Sequence, residues 1–192
     1  MNLNTRITLL EKIKSSDSDD AWEDFHSYYS GYLRAVISRF NVSGSDADDI
    51  IQKVMLVCWE KVKDFEHNGV GHFRSWLVKT AKNNTMNYMS SSSRHSKKKN
   101  KFSESQTHEV DSKFDETAEK EWRIYLSKLA WERIRSNYQE NAQNSFDLLM
   151  QGLNNKEVAE KLDLKQNTVA VFKKRILEAL KDEILQLDEF LN

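Results

Sequence analysis

The stretch NNKEVAEKLDLKQNTVAVFKKRIL, residues 154–177, holds two helix-start signals with a turn between them too short to be a linker. Asn154 is a good N-cap, and Glu157 three residues later completes the pattern of a capping pair. Val158, Ala159 and Leu162 share one face of the helix that follows. DLK, residues 163–165, is the turn, and Val169, Phe172, Ile176, Leu180 and Ile184 form the apolar stripe of a last helix. Two short helices, a tight turn and an apolar residue within it (Leu164) describe a helix-turn-helix. In that motif the second helix enters the major groove and turns its N-terminal residues to the bases. Those residues are Gln166, Asn167, Thr168 and Ala170, with Val171 beside them. Gln and Asn side chains pair with adenine edges, and Lys174 and Arg175 suit phosphate or guanine. A helical hairpin with a solvated basic face satisfies the same spacing, so periodicity alone leaves both open.

The rest of the chain narrows the choice. It has 192 residues and a formal net charge of −1, so any nucleic-acid surface has to be a local patch. Hydrophobic residues make up 39%, with five Trp and nine Phe, enough for a real core. Proline is absent and there are only five glycines, which disfavours hairpin-rich sheets and predicts an all-α protein. The single cysteine, Cys58, excludes an internal disulfide and a cysteine zinc cluster. No apolar run is long enough to span a membrane, and MNLNTRITLLEKIK at the start is too charged for a secretory core. A reducing cytoplasm is the expected compartment. His67 and His72, with Asp64 and Glu66, do not follow a metal-ligand spacing. Without a glycine-rich phosphate loop or a nucleophile elbow, neither enzymatic activity nor a cofactor is expected.

Helical spacing recurs along the chain. Trp22, Phe25, Tyr29, Tyr32, Leu33, Val36 and Phe40 mark one helix face. After NVSGS, residues 41–45, Ser45 and Asp48 read as a capping box opening a second helix. Its stripe is Ile50, Ile51, Val54, Met55, Cys58, Trp59 and Val62. A third helix is expected from about His72, with Phe73, Trp76, Leu77, Thr80 and Ala81 on one side. Residues 90–108 are rich in Ser and Lys, lack apolar periodicity and read as an exposed tether. Spacing returns with Phe114, Trp122, Tyr125, Leu126, Leu129, Ile134 and Tyr138, then a short helix over about 145–151 that Gly152 stops. The expected organisation is therefore two helical domains, 1–93 and 114–192, joined by a flexible polar linker over 94–113.

A second basic patch lies in the first domain. Residues 73–102 contain no acid, but hold Arg74, Lys79, Lys82, Arg94, Lys97, Lys98, Lys99 and Lys101. Phe73, Trp76 and Tyr88 are interleaved with them, as are Asn83, Asn84 and Asn87. Cations follow a phosphate backbone, while aromatic rings and amides hold unstacked bases. Trp76, on a helical stripe, is expected to pack beneath this surface.

With these residues in view the chain resembles a known family. DADDIIQKVMLVCWEKVKDFE (46–66) and HFRSWLVKTAKNNTMNYM (72–89) resemble region 2 of an extracytoplasmic-function (ECF) sigma factor. LNNKEVAEKLDLKQNTVAVFKKRILEALKDEI (153–184) resembles the family's region 4, and its second half is similar to planctomycete-type members. The resemblance implies a protein that binds the RNA polymerase core, at its clamp and flap, and directs it to promoters. Region 4 would read the minus-thirty-five element as duplex. Region 2 would melt the minus-ten element and capture flipped bases of one strand. By position, Asn83 falls at the family's base-contacting Asn, the loop 66–72 at its base-capturing loop, and Asp49 and Gln52 on the clamp-docking helix. Arg74, Lys79 and Lys82 would then hold adjoining phosphates. The family also allows an anti-sigma factor as a partner. Four positions depart from its pattern: Lys53 follows Gln52 where Glu is common, Lys165 replaces a small N-cap, and Ala170 and Val171 replace basic or hydroxylated residues. The alternative, a conventional helix-turn-helix regulator with an N-terminal sensing or dimerisation domain, shares the C-terminal motif but leaves the 73–87 surface without a role.

Overall fold

The computed structural model describes residues 8–15, 19–62, 65, 73–95 and 104–191, the side chains of 19 and 92–112 excepted. The described residues are helical, without strands: α1 Leu9–Ser15, α2 Asp19–Ser38, α3 Ser45–Lys61, α4 Phe73–His95, α5 Glu104–Ile134, α6 Glu140–Met150, α7 Asn155–Leu162 and α8 Gln166–Leu191, with a 3-10 turn at Arg135–Asn137. By its contacts the chain divides into a first unit of residues 1–124 with 190–192, and a second of 125–189. None of the described helices is long and apolar enough to cross a membrane.

The first unit forms because α2, α3 and α4 each bury one stripe at helical spacing. Phe25, Tyr29, Tyr32, Leu33 and Val36 of α2 meet Ile50, Ile51, Val54 and Cys58 of α3 and Phe73, Leu77 and Ala81 of α4, all buried. Each such aliphatic or aromatic side chain contributes about 1.5–3 kcal/mol by leaving water. Phe73 is a hub: its ring centroid lies 5.7 Å from Phe25, 5.7 Å from Tyr29 and 5.5 Å from Phe65. The buried Thr85 hydroxyl is satisfied by donating to the Ala81 carbonyl at 2.8 Å. Burial pushes the Cys58 thiol up to about 12, so it is a packing group rather than a reactive one.

Five local expectations change. Ser45 is the first helical residue of α3, and Gly44, with φ 60°, is its N-cap without a side-chain bond. With Gly44 as the N-cap there is no capping box, and the Asp48 carboxylate pairs with Arg34 of α2. Trp59, placed in the buried stripe by spacing, is 55% exposed. Helix α4 continues through Ser90–His95, which read as tether, since an established helix propagates cheaply through polar residues. Helix α6 begins at Glu140 rather than near 145. Residues 104–113 of the proposed linker belong to α5, and 96–103 lie outside the described residues.

In the second unit the stop after α6 is a Schellman motif. Gly152, at φ 97°, donates to the Leu149 carbonyl at 3.0 Å and Leu153 to Leu148 at 3.3 Å. Asn154 then caps α7: its side chain accepts from the Lys156 and Glu157 amides at 2.9 and 3.1 Å, and Glu157 accepts from the Asn154 amide at 2.7 Å. Asp163 ends α7 in the left-handed region, φ 52°. That reversal lets Leu164 pack with Val158, Ala159 and Val169, alongside Leu148, Leu149, Leu153 and Leu162. The turn occupies 163–165, as the spacing predicts. Replacing Asn154 by Ala removes both cap acceptor bonds and should cost about 1 kcal/mol. The expected readout is a lower urea midpoint at unchanged m-value.

Candidate nucleic-acid interface

Helix α8 is two-sided. Val169, Ile176 and Leu180 are buried, while Gln166, Asn167, Val171, Lys174 and Arg175 are exposed and Thr168 and Ala170 half-buried. The three-residue turn holds the start of α8 at the surface, so its first residues are presented rather than packed. Lys165 offers only its backbone carbonyl, which accepts from Thr168 at 2.8 Å and Val169 at 3.2 Å. A lysine side chain has no acceptor, so Lys165 cannot cap the α8 amides through its side chain. Lys174 lies 4.0 Å from Glu178, both strongly exposed. An exposed pair of this kind contributes little and leaves Lys174 open to a stronger anion. Val171, 40% exposed, is an apolar group on the same face, suited to a thymine methyl.

Helix α4 carries the second patch, and here the structure separates the expected residues. Lys79 and Asn83 are exposed. Arg74 and Lys82 instead turn toward α5, their side chains 20% and 16% exposed. Arg74 donates to Glu119 at 2.7 Å, and its guanidinium lies 5.2 Å from the Trp122 ring centroid. Lys82 pairs with Asp115 at 3.2 Å. Arg123 also reaches Glu119, at 3.1 Å. The hydrogen bond from Arg74 is the main cause holding the Glu119 carboxyl below its ordinary range. Burial keeps the neighbouring Tyr32 phenol protonated, and it donates to the Ala118 carbonyl at 3.1 Å. Tyr32, Arg74, Lys82, Asp115 and Glu119, with Lys79 and Asn83, line a cleft of about 530 Å³. The Arg74 Nε is buried without a hydrogen-bond partner among the described residues. Trp76 packs as expected, half-buried, 5.6 Å from Phe65 and 5.3 Å from Phe73. The loop 66–72, with His67 and His72, lies outside the described residues, as does Asp64.

Asp115 and Glu119 were not singled out from the sequence. Their signal is a pair of carboxylates four apart on a helix that follows an acid-free basic segment.

On α3, Asp49, Gln52 and Lys53 are exposed on one face. Leu56 and Trp59, 58% and 55% exposed, continue it. Trp59 lies 4.6 Å from Trp22, and both border a shallow cleft with His26, Gln52, Met55 and Leu56. Single exposed apolar residues are ordinary; here Leu56 and Trp59 adjoin the half-buried Trp22, which makes this face a candidate interaction surface. Spacing hid it, because Trp59 falls beside the buried stripe.

The second unit has its own apolar groove, of about 780 Å³. Trp131, Phe146, Leu180 and Ile184 form its floor and walls, and Met150, Leu177 and Leu185 stand exposed at 65%, 48% and 61% around it.

Comparison with known proteins agrees with this layout. Residues 25–95 match the sigma-70 region 2 family. Residues 145–182, spanning the helix-turn-helix, match GerE, the bacterial regulatory proteins of the luxR family. The chain thus carries, in order, a match to sigma-70 region 2 and a match to a luxR-type helix-turn-helix family, and neither family is one of enzymes. No curated protein matches the sequence. Among solved structures there is a distant likeness to CnrH, from the structure of CnrH in complex with the cytosolic domain of CnrY. It is 16% identical, covers 94% of this chain and 96% of that one, and has a TM-score of 0.37.

If Lys174 holds a phosphate, Lys174→Ala should weaken duplex binding evenly across sequences. The slope of log K against log salt should then flatten by about 0.9. Fluorescence anisotropy over a salt series reads both; a changed sequence preference at an unchanged slope contradicts the assignment.

Proposed function

We propose that this protein is an ECF-type sigma factor, acting in the cytoplasm. It binds the RNA polymerase core and brings it to promoters, region 2 opening the minus-ten element and the helix-turn-helix reading the minus-thirty-five element as duplex. The observation that carries this reading is the pairing, in one chain, of a sigma-70 region 2 with a helix-turn-helix whose recognition face is exposed. A conventional regulator accounts for the luxR-type match alone and gives region 2 no task. Resemblance of residues 167–184 supports the planctomycete-type branch within the ECF group.

Roles follow from exposure and chemistry. Asp49 and Gln52, beside Leu56 and Trp59, dock on the polymerase clamp. The apolar groove of the second unit suits an apolar element of the flap. On α8, Gln166, Asn167, Thr168, Ala170 and Val171 face bases while Lys174 and Arg175 hold backbone phosphates. On α4, exposed Asn83 reads a flipped base through its amide, which offers both donors and acceptor. Lys79, with Arg74 and Lys82 when these are released from α5, neutralises adjoining phosphates. An anti-sigma factor would act by covering these same faces.

Two experiments test the reading. Asp49→Ala with Gln52→Ala should lower affinity for polymerase core by tenfold or more, on the order of 1.4 kcal/mol, with circular dichroism unchanged; wild-type affinity removes these residues from the interface. Asn83→Ala should leave closed-promoter binding intact and impair strand opening, because unstacking a base costs a few kcal/mol that edge bonds must offset. Permanganate reactivity of thymines near the start site, in reconstituted holoenzyme, should fall on duplex promoter and recover in part on a pre-melted template. Normal reactivity on the duplex contradicts the role of Asn83.

A further inference from the structure

The charge of α4 and that of α5 are opposite and adjacent in the chain. Residues 73–102 hold eight Lys and Arg and no acid, whereas residues 104–121 hold seven Asp and Glu (104, 109, 111, 115, 116, 119 and 121) against two lysines. Within the first unit this contrast becomes contact. Glu119 takes Arg74 at 2.7 Å and Asp115 takes Lys82 at 3.2 Å, and the two carboxylates, four residues apart, form one wall of the 530 Å³ cleft whose opposite wall carries Lys79 and Asn83.

We propose that the acidic first half of α5 is an internal competitor for DNA: the carboxylates of Asp115 and Glu119 occupy the two cations of α4 that would otherwise hold phosphates of a single strand. The inference rests on the proposed role of α4 in strand capture. Its basis is stereochemical. A carboxylate and a phosphate both accept charge-assisted bonds from guanidinium and ammonium groups, so a carboxylate already in place offsets the charge and takes donors that a phosphate would use. The two pairs are not equally secure. Asp115 is 63% exposed, so its bond to Lys82 is screened and yields first to a strand laid along α4. Arg74 is held more firmly, because its guanidinium also lies over Trp122 and only one fifth of its side chain meets solvent. Its buried Nε, without a partner among the described residues, is a donor that the closed arrangement leaves unused. The consequence is a first unit that binds single strands weakly by itself. Non-specific capture of nucleic acid by the free protein is thereby held down, and the cations are exposed only where a melted promoter competes for them.

The test measures the free, full-length chain binding a fluorescent oligothymidine over a salt series. Asp115→Asn with Glu119→Gln keeps shape and removes both charges. It should tighten binding about tenfold near 0.1 M salt and steepen the salt slope by about 1.4, the value for two added phosphate contacts to a single strand. Arg74→Ala with Lys82→Ala should weaken binding and abolish the gain when combined with the first pair. If the carboxylate variant binds like wild type while the cation variant binds more weakly, the competitor is overturned and the DNA-binding role of α4 stands. If neither variant changes affinity, that role itself fails, and the competitor with it. Asp115→Asn alone, at an exposed side chain, serves if loss of Glu119 unfolds the unit; it should give about a threefold gain and half the change in slope, and an unchanged affinity overturns the proposal.

Discussion

Trp122 is the contact on which the first unit's surface depends. Its ring meets Tyr32 edge-on at 4.9 Å and lies parallel to Tyr29 at 6.4 Å, so the first half of α5 is keyed to α2. Aromatic pairs of this geometry contribute about 0.5–1.5 kcal/mol beyond their buried area. Once Trp122 is seated, helix geometry places Glu119 and Asp115, three and seven residues earlier, along the same side. That side faces α4, and Arg74 and Lys82 are drawn into ion pairs. Phe114, one residue before Asp115, is stacked on Phe40 at 4.7 Å and closes the other end of the contact. The electrostatics of the patch are thus set by how aromatic rings of α2 and α5 pack.

The second unit solves a different problem, how to expose a helix end without losing its anchorage. Its device is a pair of backbone reversals. Gly152 and Asp163, both at positive φ, turn the chain sharply at either end of α7. Asp tolerates this region better than most residues with a side chain. Between the reversals the capping box of Asn154 and Glu157 satisfies the amides of α7, and Leu164 returns to the core. The start of α8 needs no cap side chain because it is meant to face outward. A helix start at the surface is also a favourable place for phosphate.

Apolar surface is distributed unevenly, and in the proposed function each exposed group has an occupant. Leu56 and Trp59 continue the face of Asp49 and Gln52, and Met150, Leu177 and Leu185 surround the groove of the second unit. The surfaces proposed to face DNA are polar by contrast, with Ala170 and Val171 the exceptions. Apolar contact serves permanent protein partners, whereas a phosphate backbone is held by cations whose bonds exchange with salt.

Much of the helical plan was legible in the sequence. Buried stripes in α2, α3, α4 and α8, the cap at Asn154, the stop at Gly152 and the turn at 163–165 are local properties, written in residues within a few positions of each other. The exposed face of α8 was legible for the same reason, since the residues opposite Val169, Ile176 and Leu180 have to face solvent. Local pattern misled where a residue's partner lies elsewhere. Asp48 reads as a capping residue but answers Arg34, and Trp59 reads as core but stands at the edge beside Trp22. Periodicity states which face of a helix is apolar, not how much of it a neighbour covers. Tertiary structure alone decided that Arg74 and Lys82 meet carboxylates 45 and 33 residues away, while Asn83 and Lys79 stay open. Pairing across such separations is determined by which helices pack together, and that choice belongs to the whole core rather than to any stretch of sequence.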